Sequence, residues 1–208
     1  MIVVALDGPS GSGKSSTSKG VAMRAGWSYL DTGALYRGAT WLAIEKNISN
    51  ANELIEALLD QPLTFNADPE KPTLKCGKKD ITDAIRTEEV TSAVSTFAAM
   101  PEVRSELLVL QRKIINEAQR GIVVEGRDIG TVVAPNAQLK IFLQADINAR
   151  AQRRENELNS LAITGGDVAQ VAASLSQRDS IDSTRAVSPL RKAEDAILVD
   201  STDLGLEE

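Results

Sequence analysis

Eight residues near the N-terminus limit what this chain can fold into. Gly8-Pro9-Ser10-Gly11-Ser12-Gly13-Lys14-Ser15 fits G-x-x-x-x-G-K-[ST]. The apolar, β-branched run Ile2 to Leu6 precedes it, and a helical stretch from Ser16 to Ala25 comes after it. Buried parallel strand, glycine loop and helix form a unit with one physical use. Glycines without Cβ atoms let consecutive backbone N–H groups converge on a phosphate. The helix N-terminus adds unpaired donors and a partial positive charge. The unit therefore predicts a nucleoside triphosphate bound by Gly8, Ser10, Gly11, Ser12, Gly13, Lys14, Ser15 and Ser16. Lys14 reaches the β- and γ-phosphates, and the Ser15 hydroxyl binds Mg²⁺.

Three further runs read as buried strands: Ile122-Val123-Val124, Leu139 to Leu143 and Ala196 to Asp200. Ser28 to Asp31 is a weaker fifth strand. Helical patterns separate them, notably Glu102 to Arg120, started by Pro101, then Val168 to Leu175, Asn52 to Asp60, and a helix capped by Asp146 running through Arg154. This alternation predicts an α/β fold with a central parallel sheet flanked by helices, in one domain over residues 1–208. Residues 61–86 break the rhythm with Pro62, Pro69, Pro72 and Gly77, and read as a small, mostly antiparallel β insertion. Gly165-Gly166 breaks the chain between two charged helical stretches and suits a hinge.

Composition narrows the chemistry. Histidine is absent, which removes every Ser-His-Asp or Cys-His mechanism and every histidine-ligated metal. The net charge of −6 and the few aromatics (two Trp, two Tyr, three Phe) argue against a nucleic-acid or anionic-membrane partner. Cys76 is the sole cysteine, so no intrachain disulfide forms and a reducing cytoplasm is expected. No apolar run approaches the ~20 residues of a membrane span. The start, Met1 to Leu6, lacks a basic leader and reaches Asp7 at once, so no secretory signal is expected.

Four clusters select among uses of a phosphate loop. Asp31-Thr32-Gly33-Ala34-Leu35-Tyr36-Arg37 comes after the second strand, where ligands of open α/β sheets bind. There Asp31 either holds a magnesium-bound water or caps a helix, and Arg37 either meets an anion or is solvated. Glu125-Gly126-Arg127-Asp128 ends a buried strand as a charged turn, with Glu125 in the place of a strand-end acid and Arg127 and Asp128 either facing the same cleft as Lys14 or forming a surface ion pair. Arg178, Asp182 and Arg185 share one helix face, as a solvated ion-pair stripe or as two guanidinium groups oriented by one carboxylate. Arg150, Arg153 and Arg154 form either a solvated face or a lid carrying phosphate-binding arginines.

Taken in order, these motifs, with Ile85-Arg86-Thr87-Glu88-Glu89-Val90, Pro101-Glu102-Val103-Arg104, Ile129-Gly130-Thr131 and Arg185-Ala186-Val187-Ser188-Pro189-Leu190, make the chain resemble the bacterial cytidylate kinases over nearly its whole length. That family consists of nucleoside-monophosphate kinases. The resemblance implies transfer of the γ-phosphoryl group of ATP, with Mg²⁺, to CMP or dCMP. It implies that Ser95, Arg104 and Asp128 read the cytosine edge and that Asp182 contacts the pentose. Arg37, Arg127, Arg178 and Arg185 form the anion-binding set, with Thr32 near the acceptor phosphate. Lys14, Arg127, Arg178 and Arg185 are the expected catalytic groups, and Ser15 and Asp31 the expected metal contacts. The family's monophosphate-binding insert falls at about 33–95 and its lid at about 148–166, with Arg150, Arg153 and Arg154 toward ATP. A monomer is expected. Such chains usually continue into a terminal helix, whereas this sequence runs only to Glu208. Either it is shortened or the helix is missing, which would expose part of the sheet face. The other readings open at this point are a kinase for a different small acceptor and a nucleotide-dependent switch.

Overall fold

The computed structural model describes residues 1–160 and 167–208. Strand β1 (Ile2–Asp7) is buried along almost its entire length and lies at the centre of a five-stranded parallel sheet. Around it stand β2 (Ser28–Asp31), β6 (Gly121–Gly126), β7 (Leu139–Gln144) and β8 (Ile197–Asp200), in the order β2-β6-β1-β7-β8. Continuous apolar runs suit strands covered on both faces. The central β1 and β6 obey this rule, whereas the edge strand β8 leaves Ile197 and Leu198 exposed.

Strand register sets the position of the loops. Asp7 stands opposite Gly126, and Asp31 opposite Glu125. The carboxyl ends of β1, β2 and β6 are therefore level, and the loops leaving them share one edge of the sheet.

Helices α1 (Lys14–Ala25) and α2 (Thr32–Glu45) come soon after β1 and β2. After α3 (Ala51–Asp60), capped by the Asn50 side chain, comes the expected β insertion. Its strands β3 (Leu63–Asn66), β4 (Thr73–Cys76) and β5 (Lys79–Asp80) form an antiparallel sheet of order β3-β4-β5. Helix α4 (Glu88–Ala98) is not among the helices expected from the sequence. Its local signal is the Thr87 cap, whose Oγ1 accepts from the Val90 N–H, with Glu88 and Glu89 in the first turn. Helix α5 (Pro101–Glu117) stops short of the expected Arg120, because Ala118 turns extended and the Arg120 carbonyl accepts from the Ile2 N–H to start β6 beside β1.

Helix α6 (Ile147–Ser160) runs past Arg154, and α7 (Val168–Thr184), capped by Asp167, begins with the expected Val168. The two pack on each other through Ala151, Val171 and Leu175, a small core separate from the main one. The expected break at Gly165-Gly166 lies outside the described residues. Among the described residues, no helix is long and apolar enough to cross a membrane.

The main core joins the large sheet to the small one: Ala5, Leu30, Leu35, Val124, Leu63 and Leu74 belong to one buried cluster. Trp41 lies in it, and Cys76 is a buried filler whose thiol donates to the Gln61 carbonyl. The insertion thus shares buried contacts with the large sheet. Leu74→Ala should lower stability by about 2–5 kcal/mol. Urea unfolding should remain a single transition with coincident fluorescence and circular-dichroism curves. A separate early transition would contradict the shared core.

Candidate active site

Chain geometry around the phosphate loop explains its glycines. A Cβ on Gly8 would lie 2.0 Å from the Leu143 carbonyl oxygen, so only glycine lets the chain leave β1 beside β7. The next close approach is at Gly126, where a Cβ would meet Thr32 Oγ1 at 2.5 Å and Ile129 at 2.6 Å. Thr32 Oγ1 donates to the Glu125 carbonyl at 2.7 Å, which joins the start of α2 to the end of β6. These contacts bring three strand ends around one cleft of about 690 Å³.

Within that cleft stand Ser10 to Ser16, Asp31, Thr32, Arg37, Ser95, Arg104, Arg127, Asp128, Arg153, Arg154, Arg178, Asp182 and Arg185. Residues from opposite ends of the chain thus meet, as a shared site requires. Two expected members lie elsewhere. Gly8 is behind the loop, packed on β7. Arg150, expected on a lid toward ATP, is buried and turned inward. It donates to the carbonyls of Ala145 at 3.0 Å and Ser10 at 3.1 Å, and pairs with Asp179. Asp179 also accepts from the Ser10 N–H at 3.3 Å. Burial next to a complementary carboxylate makes this arginine a strut under the phosphate loop.

The phosphate side of the cleft is crowded with cations. Lys14 Nζ donates to the Pro9 carbonyl at 2.6 Å. Burial, then the nearby Arg127 guanidinium, pull its ammonium down to about 7. Burial and Arg178 likewise lower Arg37 to about 10. Arg37 reaches across to α4, donating to Thr91 Oγ1 at 2.8 Å and to the Ile85 carbonyl at 3.2 Å. Arg178 and Arg185 are also lowered, first by burial and then by Arg127 and Arg104 respectively. Arg178 Nε and Arg185 Nη2 are buried without a hydrogen-bond partner among the described residues. Buried donors are nearly always paired, so these donors mark where a ligand oxygen belongs.

Carboxylates hold this array in place. Asp182 does not orient Arg178 and Arg185 together. Its partners are Arg127 Nε at 2.7 Å and Arg185 at 3.6 Å. Arg127 also donates to the Gly8 carbonyl at 2.9 Å. Asp128 pairs with Arg104 at 2.5 Å, both almost completely buried, and the Arg104 guanidinium lies 5.0 Å from the centre of the Tyr36 ring. Ser95, on α4, lines the cleft as well.

Glu125 accepts from the Ser15 hydroxyl at 3.0 Å and from the Tyr29 hydroxyl. Burial, reinforced by Asp31, pushes its carboxyl up to about 7. Asp31 Oδ1 caps α2 by accepting from the Ala34 N–H at 3.1 Å. Arg153 donates to carbonyls of Ser201, Thr202 and Leu204, so it anchors the segment after β8 at the cleft. Ser201 in turn donates to the Ser12 carbonyl at 3.0 Å. The sequence assigns no role to Asp179 or Ser201. Their side chains act on backbone atoms of a distant loop, and no local pattern signals that.

A parallel sheet carrying a glycine phosphate loop at its carboxyl edge, with a second arginine-lined anion site beside it, defines a P-loop nucleotide-binding protein. The family model "Cytidylate kinase" matches residues 4–208. Relatives bearing the same description share 49% identity in Streptomyces avermitilis, over all of this chain and 88% of theirs, and 44% in Lactococcus lactis subsp. lactis, over all of this chain and 93% of theirs. The chain belongs to the cytidylate kinase family. A solved structure of an uncharacterized protein from Eubacterium ventriosum has the same fold, with a TM-score of 0.50 at 14% identity, covering 99% of this chain and 92% of that one.

The strut under the loop yields a direct prediction. Arg150→Ala leaves Asp179 without its cation and should lower stability by about 3 kcal/mol in urea unfolding. A loss below about 0.5 kcal/mol, typical of surface positions, would show that the strut carries nothing.

Proposed function

We propose that this chain transfers the γ-phosphoryl group of ATP to CMP and dCMP. One observation carries the acceptor: the buried Arg104–Asp128 ion pair lines the cleft and leaves a guanidinium donor over. Arg104 Nε has no partner among the described residues. Asp128 Oδ2 is taken by Arg104, while Oδ1 lies 4.0 Å from Arg185 Nη2. Cytosine presents the complement, an N4 amino donor beside the N3 and O2 acceptors. Uracil would turn O4 toward Asp128, and two acceptors facing each other cost about 1–3 kcal/mol. Ser95 joins these two at the base, and Asp182 takes the pentose. Family membership supports the same assignment.

The reaction needs no strong base, because a monophosphate is already an anionic nucleophile with a second pKa near 6. A phosphate oxygen of CMP bonds to the γ-phosphorus as the bond from that phosphorus to the β-bridging oxygen breaks, releasing ADP. The work is to hold two polyanions in line. Lys14 and the loop N–H groups hold the ATP phosphates. Arg37, with Thr32 at the start of α2, holds the acceptor phosphate. Arg127, Arg178 and Arg185 surround the transferring group. Arg153 and Arg154 approach from α6, the described part of a lid over about 148–166, and the segment 33–95 is the monophosphate-binding insert. Closure excludes water, which would otherwise take the phosphoryl group.

Mg²⁺ supplies charge neutralisation between the phosphates when bound. The Ser15 hydroxyl and the Glu125 carboxylate, with Asp31 beside them, would hold it. Among the described residues no trio of His, Cys, Asp or Glu can hold a metal alone. Mg²⁺ in phosphoryl-transfer sites is commonly held through one or two carboxylates plus phosphate oxygens. The proposed working form is a cytoplasmic monomer.

A coupled ADP-release assay with CMP, dCMP, UMP and AMP should give clear preference for the two cytidine nucleotides. Equal rates with all four would overturn the acceptor assignment. ADP release indifferent to any monophosphate would favour a nucleotide switch. Lys14→Ala should abolish turnover, by about 10³-fold or more if it acts like other transition-state cations, with circular dichroism unchanged. Gross unfolding of that variant would assign Lys14 to the fold instead.

A further inference from the structure

Asp7 ends β1, next to the glycine loop, and is 3% exposed. Its carboxylate makes no contact that the mechanism above uses. Instead it accepts from two successive backbone N–H groups beyond the facing strand. Oδ1 takes Ile129 and Oδ2 takes Gly130, each at 2.7 Å. The segment it grips, Ile129–Val133, is a single wide helical turn whose next N–H groups, Val132 and Val133, both point back to the Asp128 carbonyl.

The consequence falls on Asp128. Its backbone sits at φ −139 and ψ 25, outside the broad helical and extended basins. The Ile129 N–H belongs to the peptide that ψ of Asp128 rotates. Fixing that N–H on Asp7 fixes ψ, and with it the direction in which the Asp128 side chain leaves the backbone. Without Asp7, two buried N–H groups would lack a partner, and the turn would rotate to find one.

We infer that Asp7 is a positioning residue for base recognition, aiming Asp128 and through it Arg104 at the pyrimidine edge. Asp7 and Gly8 are also consecutive on the chain, and Arg127 binds the Gly8 carbonyl. The end of β1 therefore ties the acceptor-reading turn to the loop that holds the donor phosphates. This inference rests on the proposal that Asp128 reads cytosine.

The test is acceptor discrimination, the ratio of kcat/KM for CMP to that for UMP. A general loosening of the fold or the phosphate loop lowers both rates alike and leaves the ratio unmoved. Asp7→Asn keeps the shape but turns one amide N–H₂ toward a backbone N–H. It should lower the CMP:UMP ratio about tenfold, mostly through a higher KM for CMP. Asp7→Ser, which keeps one acceptor oxygen, should give the same sign at smaller size. In Asp128→Asn, adding Asp7→Asn should change the ratio by less than about twofold, since the group that Asp7 aims has gone.

An unchanged ratio in Asp7→Asn, or full additivity with Asp128→Asn, would overturn the inference. Failure of both Asp7 variants to fold would overturn it too, by making Asp7 a fold residue. A wild-type protein that does not prefer CMP to UMP would instead sink the base-reading proposal on which the inference stands.

Discussion

Positive charge packed away from water, with too few carboxylates to balance it, governs this molecule. Lys14, Arg37, Arg178 and Arg185 all have their charged forms disfavoured, first by burial and then by other cations, apart from what Asp182, Asp128 and Glu125 return. Yet the chain as a whole is acidic, at −6. Such a site is costly when empty and is relieved by multiply charged anions. Fixed charges that need no reorganisation as the reaction proceeds are the largest source of rate in phosphoryl transfer.

The parallel sheet is what makes that concentration possible. Every strand in it ends on the same edge, and the register of β1, β2 and β6 levels Asp7, Asp31, Glu125 and Gly126. The glycine phosphate loop leaves β1, and the turn proposed to read the acceptor leaves β6, its hydrogen-bonded neighbour. Adjacent strands stand about 4.8 Å apart, so the two binding loops start within reach of one another. The Arg127 bond to the Gly8 carbonyl is the direct expression of that closeness.

Much of this fold is legible in the sequence. Period and punctuation place all five parallel strands and the β insertion, because continuous apolar runs and clustered prolines are local signals. The phosphate loop is legible because its glycines answer to backbone geometry within eight residues. Arg150 is not, because charge spacing on a helix does not say whether the far side holds water or a buried carboxylate, and here it holds Asp179. Asp182 lies in the cleft, but its close partner is Arg127, 55 residues away, and not Arg178 on its own helix. Asp7 looks incidental in the sequence, since its partners are two backbone N–H groups that carry no side-chain signature at all.

The distribution of satisfied and unsatisfied donors separates two tasks inside the cleft. Arg127, Arg104, Asp128 and Asp182 hold one another through short bonds without any ligand, so their directions are set in advance. Arg178 Nε, Arg185 Nη2 and Arg104 Nε are left unpaired among the described residues. A network with every donor satisfied would be rigid but would have to break its own bonds to bind. A network with none satisfied would lack direction. Here the paired bonds fix orientation and the unpaired donors remain for the substrate, so binding completes a hydrogen-bond set that folding leaves partly open.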